Sequence, residues 1–214
     1  MRELGPVWLP AGEELGDRRK GNLGEFIAFH VSEAYGLSGE GYYCDLGNAN
    51  KPLAAASDPG LDIVFVHLDP GGNAANDRLY IQEVKTTGDH RLTYAAALVA
   101  DHVKLQERDS DLNLQSRILA LKGTLKYQFK LAQPYLDRLE ALGHPDAQRC
   151  ERVVFLPTLV HEKVGADPIT RLAEVKLRIA ELGWPLTNIF PRSIALTRLN
   201  EGLLFLATNQ VFEP

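Results

Sequence analysis

The sequence predicts an α/β domain with a central mixed β-sheet flanked by helices, extended at its C-terminus by a further helix and a β-hairpin. Three observations predict it. Two nearly continuous apolar runs, 61–68 and 153–160, have the β-branched and aromatic character of strands covered on both faces. Apolar residues recur at helical spacing over about 21–35, 92–142 and 169–182. Between the first apolar run and a strand over 79–86 lies Asp69–Asp77, rich in turn formers, which folds the two strands into a hairpin.

Residues 1–19 lack a clear period and carry Gly5, Pro6, Pro10, Gly12 and Gly16, so they read as an N-terminal arm. Leu23, Phe26, Ile27, Val31 and Ala34 then mark a helix that Gly36 ends. A short strand over 42–46 leads into a polar, alanine-rich loop over 47–60. The helical block 92–142 breaks around Asp109–Ser110–Asp111 and again at Pro134. After the strand 153–160 comes the helix 169–182, ended by Gly183. The strands 193–199 and 203–208, turning at Asn200–Glu201–Gly202, complete the hairpin. The whole reads as one domain over 1–214, with a core at 21–160 and a C-terminal extension at 161–214.

Composition bounds the function. The 214 residues are 45% apolar and 24% charged, which excludes collagen-like and disordered classes and lets one core bury roughly 70% of the unfolded surface. A net charge of −5 repels polyanions on average, so a nucleic-acid role must rest on a local basic patch or on a partner. Two cysteines, Cys44 and Cys150, exclude a disulfide scaffold but leave one bridge open, and a reducing cytoplasm is the expected compartment. No apolar segment suits a secretory leader or a membrane span.

Chemistry concentrates in three ionisable residues where buried strands should be apolar: Asp62, Glu83 and Lys85. A strand has a side-chain period of two, so Glu83 and Lys85 share one face. If Leu68 opposes Asp77 at the turn, Asp62 lies directly across from Glu83. Two adjacent carboxylates repel unless a cation sits between them, and a hard ion such as Mg²⁺ takes one or two carboxylates, waters and a substrate phosphate. A neighbouring lysine can orient a metal-bound water and offset charge at phosphorus. The competing reading is a salt bridge of Lys85 with one of the carboxylates, which leaves the other uncompensated.

Pro59–Gly60–Leu61–Asp62, followed on the next strand by Glu83–Val84–Lys85, resembles the PD-(D/E)XK nuclease superfamily of restriction endonucleases and Holliday-junction resolvases. Gly24–Glu25 within KGNLGEF matches the glutamate that members often carry on the preceding helix. The resemblance covers about 21–160 and implies a restriction endonuclease-like core of a helix, three strands, a helix and a fourth strand. It implies that Asp62 and Glu83 bind Mg²⁺, with Mn²⁺ as a substitute, that Lys85 assists the water, and that Glu25 helps through a second metal or a water. On a helical wheel, however, Glu25 falls nearly opposite Leu23, Ile27 and Ala34, a position that faces solvent.

The resulting expectation is a Mg²⁺-dependent endonuclease that cleaves DNA in restriction or anti-phage defence. It resembles the effector subunits of Hachiman-type systems and works as a homodimer or with a helicase or sensor subunit. A catalytically silent nuclease-fold assembly subunit and an RNA-cleaving member of the same superfamily are the alternatives. Lys122, Lys126 and Lys130, every four residues on one helix face and flanked by Arg117 and Arg138, are the candidate phosphate-tracking stripe, against the plain reading of a solvated face. The six histidines show no metal-binding spacing, and His90 is a lone loop residue. The glycines at 71 and 72 lack the Lys-Ser/Thr of a phosphate loop.

Overall fold

A computed structural model of the chain describes residues 9, 14–45, 62–88, 92–106, 114–144, 152–163 and 167–208. Helix α1 (Asp17–Ala34) precedes strands β1 (Tyr42–Asp45), β2 (Ile63–His67), β3 (Arg78–Gln82) and β4 (Val84–Thr87). Helices α2 (Ala97–Lys104), α3 (Leu114–Gln128) and α4 (Gln133–Leu142) follow. The chain continues through β5 (Val153–Phe155), β6 (Thr158–Glu162), α5 (Pro168–Glu181), β7 (Arg192–Leu196) and α6 (Leu199–Thr208). Among the described residues no helix is long and apolar enough to cross a membrane.

The β-structure is mixed. Strands β1, β2 and β3 pair antiparallel in that order, and β5 adds parallel to β3. Strand β6 pairs parallel with both β4 and β7. Ile81 faces Phe155 and Val84 faces Thr158 in an unchanged register, so the expected single strands 79–86 and 153–160 are each interrupted, side by side, at Glu83 and at Leu156–Pro157. Pro157 has no N–H to give to a ladder, which fits a break there. Bonds from Leu156 N to Ile81 O and from Thr158 N to Glu83 O, both 2.8 Å, carry the pairing across. Gln82 fastens the break to α1: it accepts from Ser32 Oγ at 2.9 Å and donates to Thr158 Oγ1 at 3.0 Å.

Alternation along the strands divides the core in two. Val64, Val66, Leu79 and Ile81 face one way and pack with Leu98, Leu121, Leu139 and Ile179 of α2 to α5. Ile63, Phe65, Val84 and Val160 face the other way, against Leu23, Ala28 and Phe29 of α1 and Leu199, Leu203 and Ala207 of α6. Helices therefore cover both faces, the arrangement that near-continuous apolar strands require.

Several expected boundaries hold and one element does not. Gly36 (φ +102°) and Gly183 (φ +95°) follow α1 and α5 as chain-reversing residues in the left-handed region. Pro134 lies in the first turn of α4, where its missing N–H costs nothing, and the break before it spans 129–132. The expected break at 109–111, the loop 47–60 and most of the arm 1–19 lie outside the described residues. The expected terminal hairpin is instead strand β7 followed by helix α6. The turn signal Asn200–Glu201–Gly202 misled, because Gly202 in a helix costs only about 1 kcal/mol. Burying Leu199 and Leu203 on the sheet returns roughly 1.5–3 kcal/mol each.

Helix α1 reaches β4 closely at one point. A Cβ on Gly24 would overlap Thr86 Oγ1 outright and lie 2.9 Å from Thr86 Cβ. The Gly24→Ala variant is therefore expected to lose about 1–3 kcal/mol of stability in urea denaturation. Adding Thr86→Gly should recover part of that loss, whereas an unchanged midpoint in Gly24→Ala would refute the close approach.

Candidate functional site

Strand β2 stops pairing with β3 at Ile63–Gln82, while β4 continues as the outer strand of its sheet. Asp62 sits at that stopping point, in the register that places it across from Glu83. Its Oδ2 accepts the Val84 N–H at 2.7 Å, so the carboxylate satisfies the first amide of the uncovered edge. Beside this edge opens a cleft of about 820 Å³, lined by Glu25, Asp62, Glu83, Lys85, Asp101 and Arg117, by β4, and by residues at the N-terminal ends of α1 and α6.

All four residues expected from the sequence line this cleft. Glu83, 3% exposed, points with Lys85 toward α2 and α3. There Arg117 Nη1 lies 3.1 Å from Glu83 Oε1. Lys85 Nζ lies 2.6 Å from Asp101 Oδ2, and Lys104 Nζ lies 3.1 Å from the other oxygen of Asp101. Lys85 thus pairs with neither Asp62 nor Glu83, and the salt bridge of the competing reading runs instead to Asp101 of α2.

Glu25 corrects the helical wheel. It is 7% exposed, because α1 is buried over Asn22, Leu23, Gly24, Glu25, Ala28, Phe29 and Ser32, whereas Ala34 is exposed. A helix pressed onto a sheet edge and also against α6 buries more than the single stripe a wheel assumes. Glu25 Oε2 has no hydrogen-bond partner, and neither do the buried Asn22 Nδ2, Thr86 Oγ1 and Arg117 Nε. Each such atom costs about 1–3 kcal/mol where nothing meets it, and these four all belong to residues that line the cleft, while His102 Nε2 and Trp184 Nε1 lie unpartnered outside it.

Burial, then the charges of Asp62 and Glu83, pushes the Glu25 carboxyl up to about 9. Burial also raises Asp62, against the opposing pull of Lys85 and the Val84 N–H. Glu83 is held well above the ordinary range by burial and by Asp62, with Arg117 opposing. Burial alone would lower the Lys85 ammonium, but Asp62 and Asp101 together carry it upward, so the amine stays charged. Three carboxylates pushed toward protonation beside a charged lysine are in want of positive charge.

Two residues of the cleft, Asp101 and Lys104 of α2, have no counterpart in the sequence motifs, and Arg117 of α3 figures there only as a flank of the lysine stripe. Asp101 did leave a signal, a charged residue on the face that buries Leu98, His102 and Leu105. Of the candidate lysine stripe, none lines the cleft. Lys122 pairs with Glu140 of α4, Lys126 lies 5.7 Å from the exposed Tyr127 ring, and Lys130 falls beyond α3 in the left-handed region (φ +53°). Arg138 binds Asp77, its Nε 2.9 Å from Oδ2. His102 is fully buried with Nδ1 2.7 Å from Leu98 O, a packed core histidine, and His90 and Cys150 lie outside the described residues.

Among the described residues no three Asp, Glu, His or Cys side chains form a ready-made metal cage. The donor set nonetheless fits a hard divalent ion, which needs few carboxylates and keeps its waters. Asp62 and Glu83 each spend one oxygen on a protein donor and keep the other, and Glu25 Oε2 is unpartnered. No family model matches the chain, and no curated protein matches it.

The raised Glu25 carboxyl fixes a pH dependence. Folding takes up a proton between the ordinary value of 4.5 and about 9, so this contribution to stability is complete below 4.5 and lost as pH rises through about 9. In metal-free buffer the melting temperature should fall across that window. Glu25→Gln, which keeps the neutral form at every pH, should show a shallower fall in scanning calorimetry; an identical slope would place the carboxyl in water.

Proposed function

We propose that the chain is a divalent-cation-dependent nuclease of PD-(D/E)XK type that hydrolyses DNA phosphodiester bonds, with Asp62, Glu83, Lys85 and Glu25 as its site. The observation that carries the reading is the excess of buried carboxylate in an open cleft: Glu25, Asp62 and Glu83 are all pushed toward protonation, and Glu25 Oε2 is left unpartnered. Structural ion pairs give each buried carboxylate a partner, and Glu25 Oε2 has none.

Asp62 and Glu83 would hold Mg²⁺ or Mn²⁺. Bound there, the ion supplies a Lewis acid for the phosphoryl oxygen and an acidified water. Asp62 keeps its orientation through the Val84 N–H, and Glu83 through Arg117. The charged Lys85 ammonium stands where negative charge grows on phosphorus and donates hydrogen bonds to it. Glu25, pushed up to about 9 and so protonated at neutral pH in the metal-free cleft, would help by holding a water or, once a second cation lowers it, by binding that ion. Lys20 at the cleft mouth, with a side chain 33% exposed, meets the backbone phosphates. The net charge of −5 fits a chain that receives DNA from a partner, a helicase or sensor subunit or its own copy, in a cytoplasmic restriction or anti-phage role.

One observation favours a second reading, a catalytically silent assembly subunit. The Arg117–Glu83 pair at 3.1 Å already places a cation on one of the two carboxylates. Cleavage decides. Supercoiled and linear DNA, single-stranded DNA and RNA are incubated with Mg²⁺, Mn²⁺ or EDTA, using wild type, Glu83→Ala and Lys85→Ala. Metal-dependent DNA cutting is expected from wild type and a drop of about 10²–10³-fold or more in each variant. Cutting confined to RNA would reassign the substrate, and no cutting together with no calorimetric metal binding would favour the silent subunit.

The cleft also predicts which cations meet the nucleic acid. Lys20→Ala should weaken DNA binding and reduce the slope of log affinity against log salt by about one. Lys126→Ala, outside the cleft, should leave both unchanged. A fluorescence titration over several salt concentrations reads the two, and the opposite ranking would return the interface to the α3 stripe.

A further inference from the structure

Lys85 presents a puzzle of choice. It follows Glu83 by two residues on one strand face and points into the cleft that also holds Asp62. A lysine is a point charge on a long flexible stem, so the nearest carboxylates should capture it. Were it to settle on Asp62 or Glu83, it would occupy the oxygens a cation needs. In the structure its ammonium instead lies 2.6 Å from Asp101 Oδ2, across the cleft on α2.

Asp101 is built for that hold. It is 8% exposed, on the face of α2 that buries Leu98, His102 and Leu105, so its backbone is fixed by packing. Lys104 grips its other oxygen at 3.1 Å, which sets the plane of the carboxylate. Asp101 belongs to none of the sequence motifs, and a buried aspartate in a helix is otherwise a cost without return.

We infer that Asp101 is a positioning residue that holds the Lys85 ammonium clear of Asp62 and Glu83, keeping their free oxygens open to a divalent cation. The inference rests on the proposed function only for the identity of what occupies those oxygens. Asp101 touches no substrate; it acts through Lys85, in the way that outer partners orient the groups around a metal.

Asp101→Asn tests it, because the amide keeps the shape and loses the charge. In a crystal structure of this variant Lys85 Nζ should leave residue 101 and come within about 4 Å of Asp62 or Glu83, the range of an ion pair. In calorimetric titration with Mn²⁺ alone, affinity should fall about tenfold or more. Asp101→Asn combined with Lys85→Met should bind Mn²⁺ as well as Lys85→Met alone, since no ammonium is left to compete. An Nζ that stays in place, or a double variant as weak as Asp101→Asn, overturns the inference. A wild type that binds no Mn²⁺ refutes the proposed function, and the position of Nζ in Asp101→Asn then still decides the inference. Should that variant not fold, wild-type crystals grown with Mn²⁺ decide: Lys85 must remain on Asp101, and its departure overturns the inference.

Discussion

The site depends on a strand that stops. Had β2 continued alongside β4, the Val84 amide would have found a backbone carbonyl and no space would remain beside it. Because pairing ends at Ile63–Gln82, the edge of β4 is uncovered on that side among the described residues. An uncovered edge in a core is a debt of unsatisfied amides. The Asp62 carboxylate meets the first of them, and a side chain recruited to cap a backbone is thereby fixed in place. Structure and the proposed chemistry share one carboxylate, one oxygen for each.

The neighbouring charges follow from that placement. Glu83 sits in the interruption between β3 and β4, on the face that looks toward α2 and α3, and it cannot be buried beside Asp62 without a counter-charge. Arg117 supplies one from α3. Its planar guanidinium is permanently charged and binds a carboxylate with little loss of freedom, whereas an ammonium is a mobile point charge. The two cations therefore divide the work by their chemistry: arginine anchors one acid, and Lys85, on a strand, is steered by another. The protein stops short of full neutralisation at Glu25, whose carboxyl remains pushed up to about 9.

What could be read in the sequence was whatever depends on near neighbours. The register of β2 with β3 was legible, because a turn of defined length and a period of two leave little freedom. Hence the sequence alone gathers Asp62, Glu83 and Lys85 at one end of the hairpin. Glu25 could be assigned to the site only through a motif, since its wheel position pointed to solvent. A wheel assumes one buried stripe, and α1 is buried against both the sheet and α6. Asp101 and Arg117 were illegible as partners because α2 and α3 meet β4 through tertiary packing that no local pattern encodes. Helix α6 was misread for a related reason: the local turn chemistry of Asn200–Glu201–Gly202 was outweighed by the burial of Leu199 and Leu203 on a surface distant in sequence.

The lysine stripe shows why position outranks count. Spacing of four residues puts Lys122 and Lys126 on one side of α3, a pattern equally suited to a phosphate backbone and to solvent. Helix α4 packs beside α3 and presents Glu140 to Lys122, so part of that positive surface is spent within the protein. Lys20 has only a long contact to Asp17, 3.9 Å away, in the lining of the cleft that holds Glu25, Asp62 and Glu83. A polyanion approaching a chain of net charge −5 gains little from a distant basic helix unless its reactive group also reaches the acids. If the cleft takes a phosphate, the buried Glu25, Asp62 and Glu83 carboxylates would oppose its entry until a divalent ion reverses the charge beside them. The same acids that repel nucleic acid without metal would then help to hold it, which makes metal occupancy and nucleic-acid affinity one coupled equilibrium.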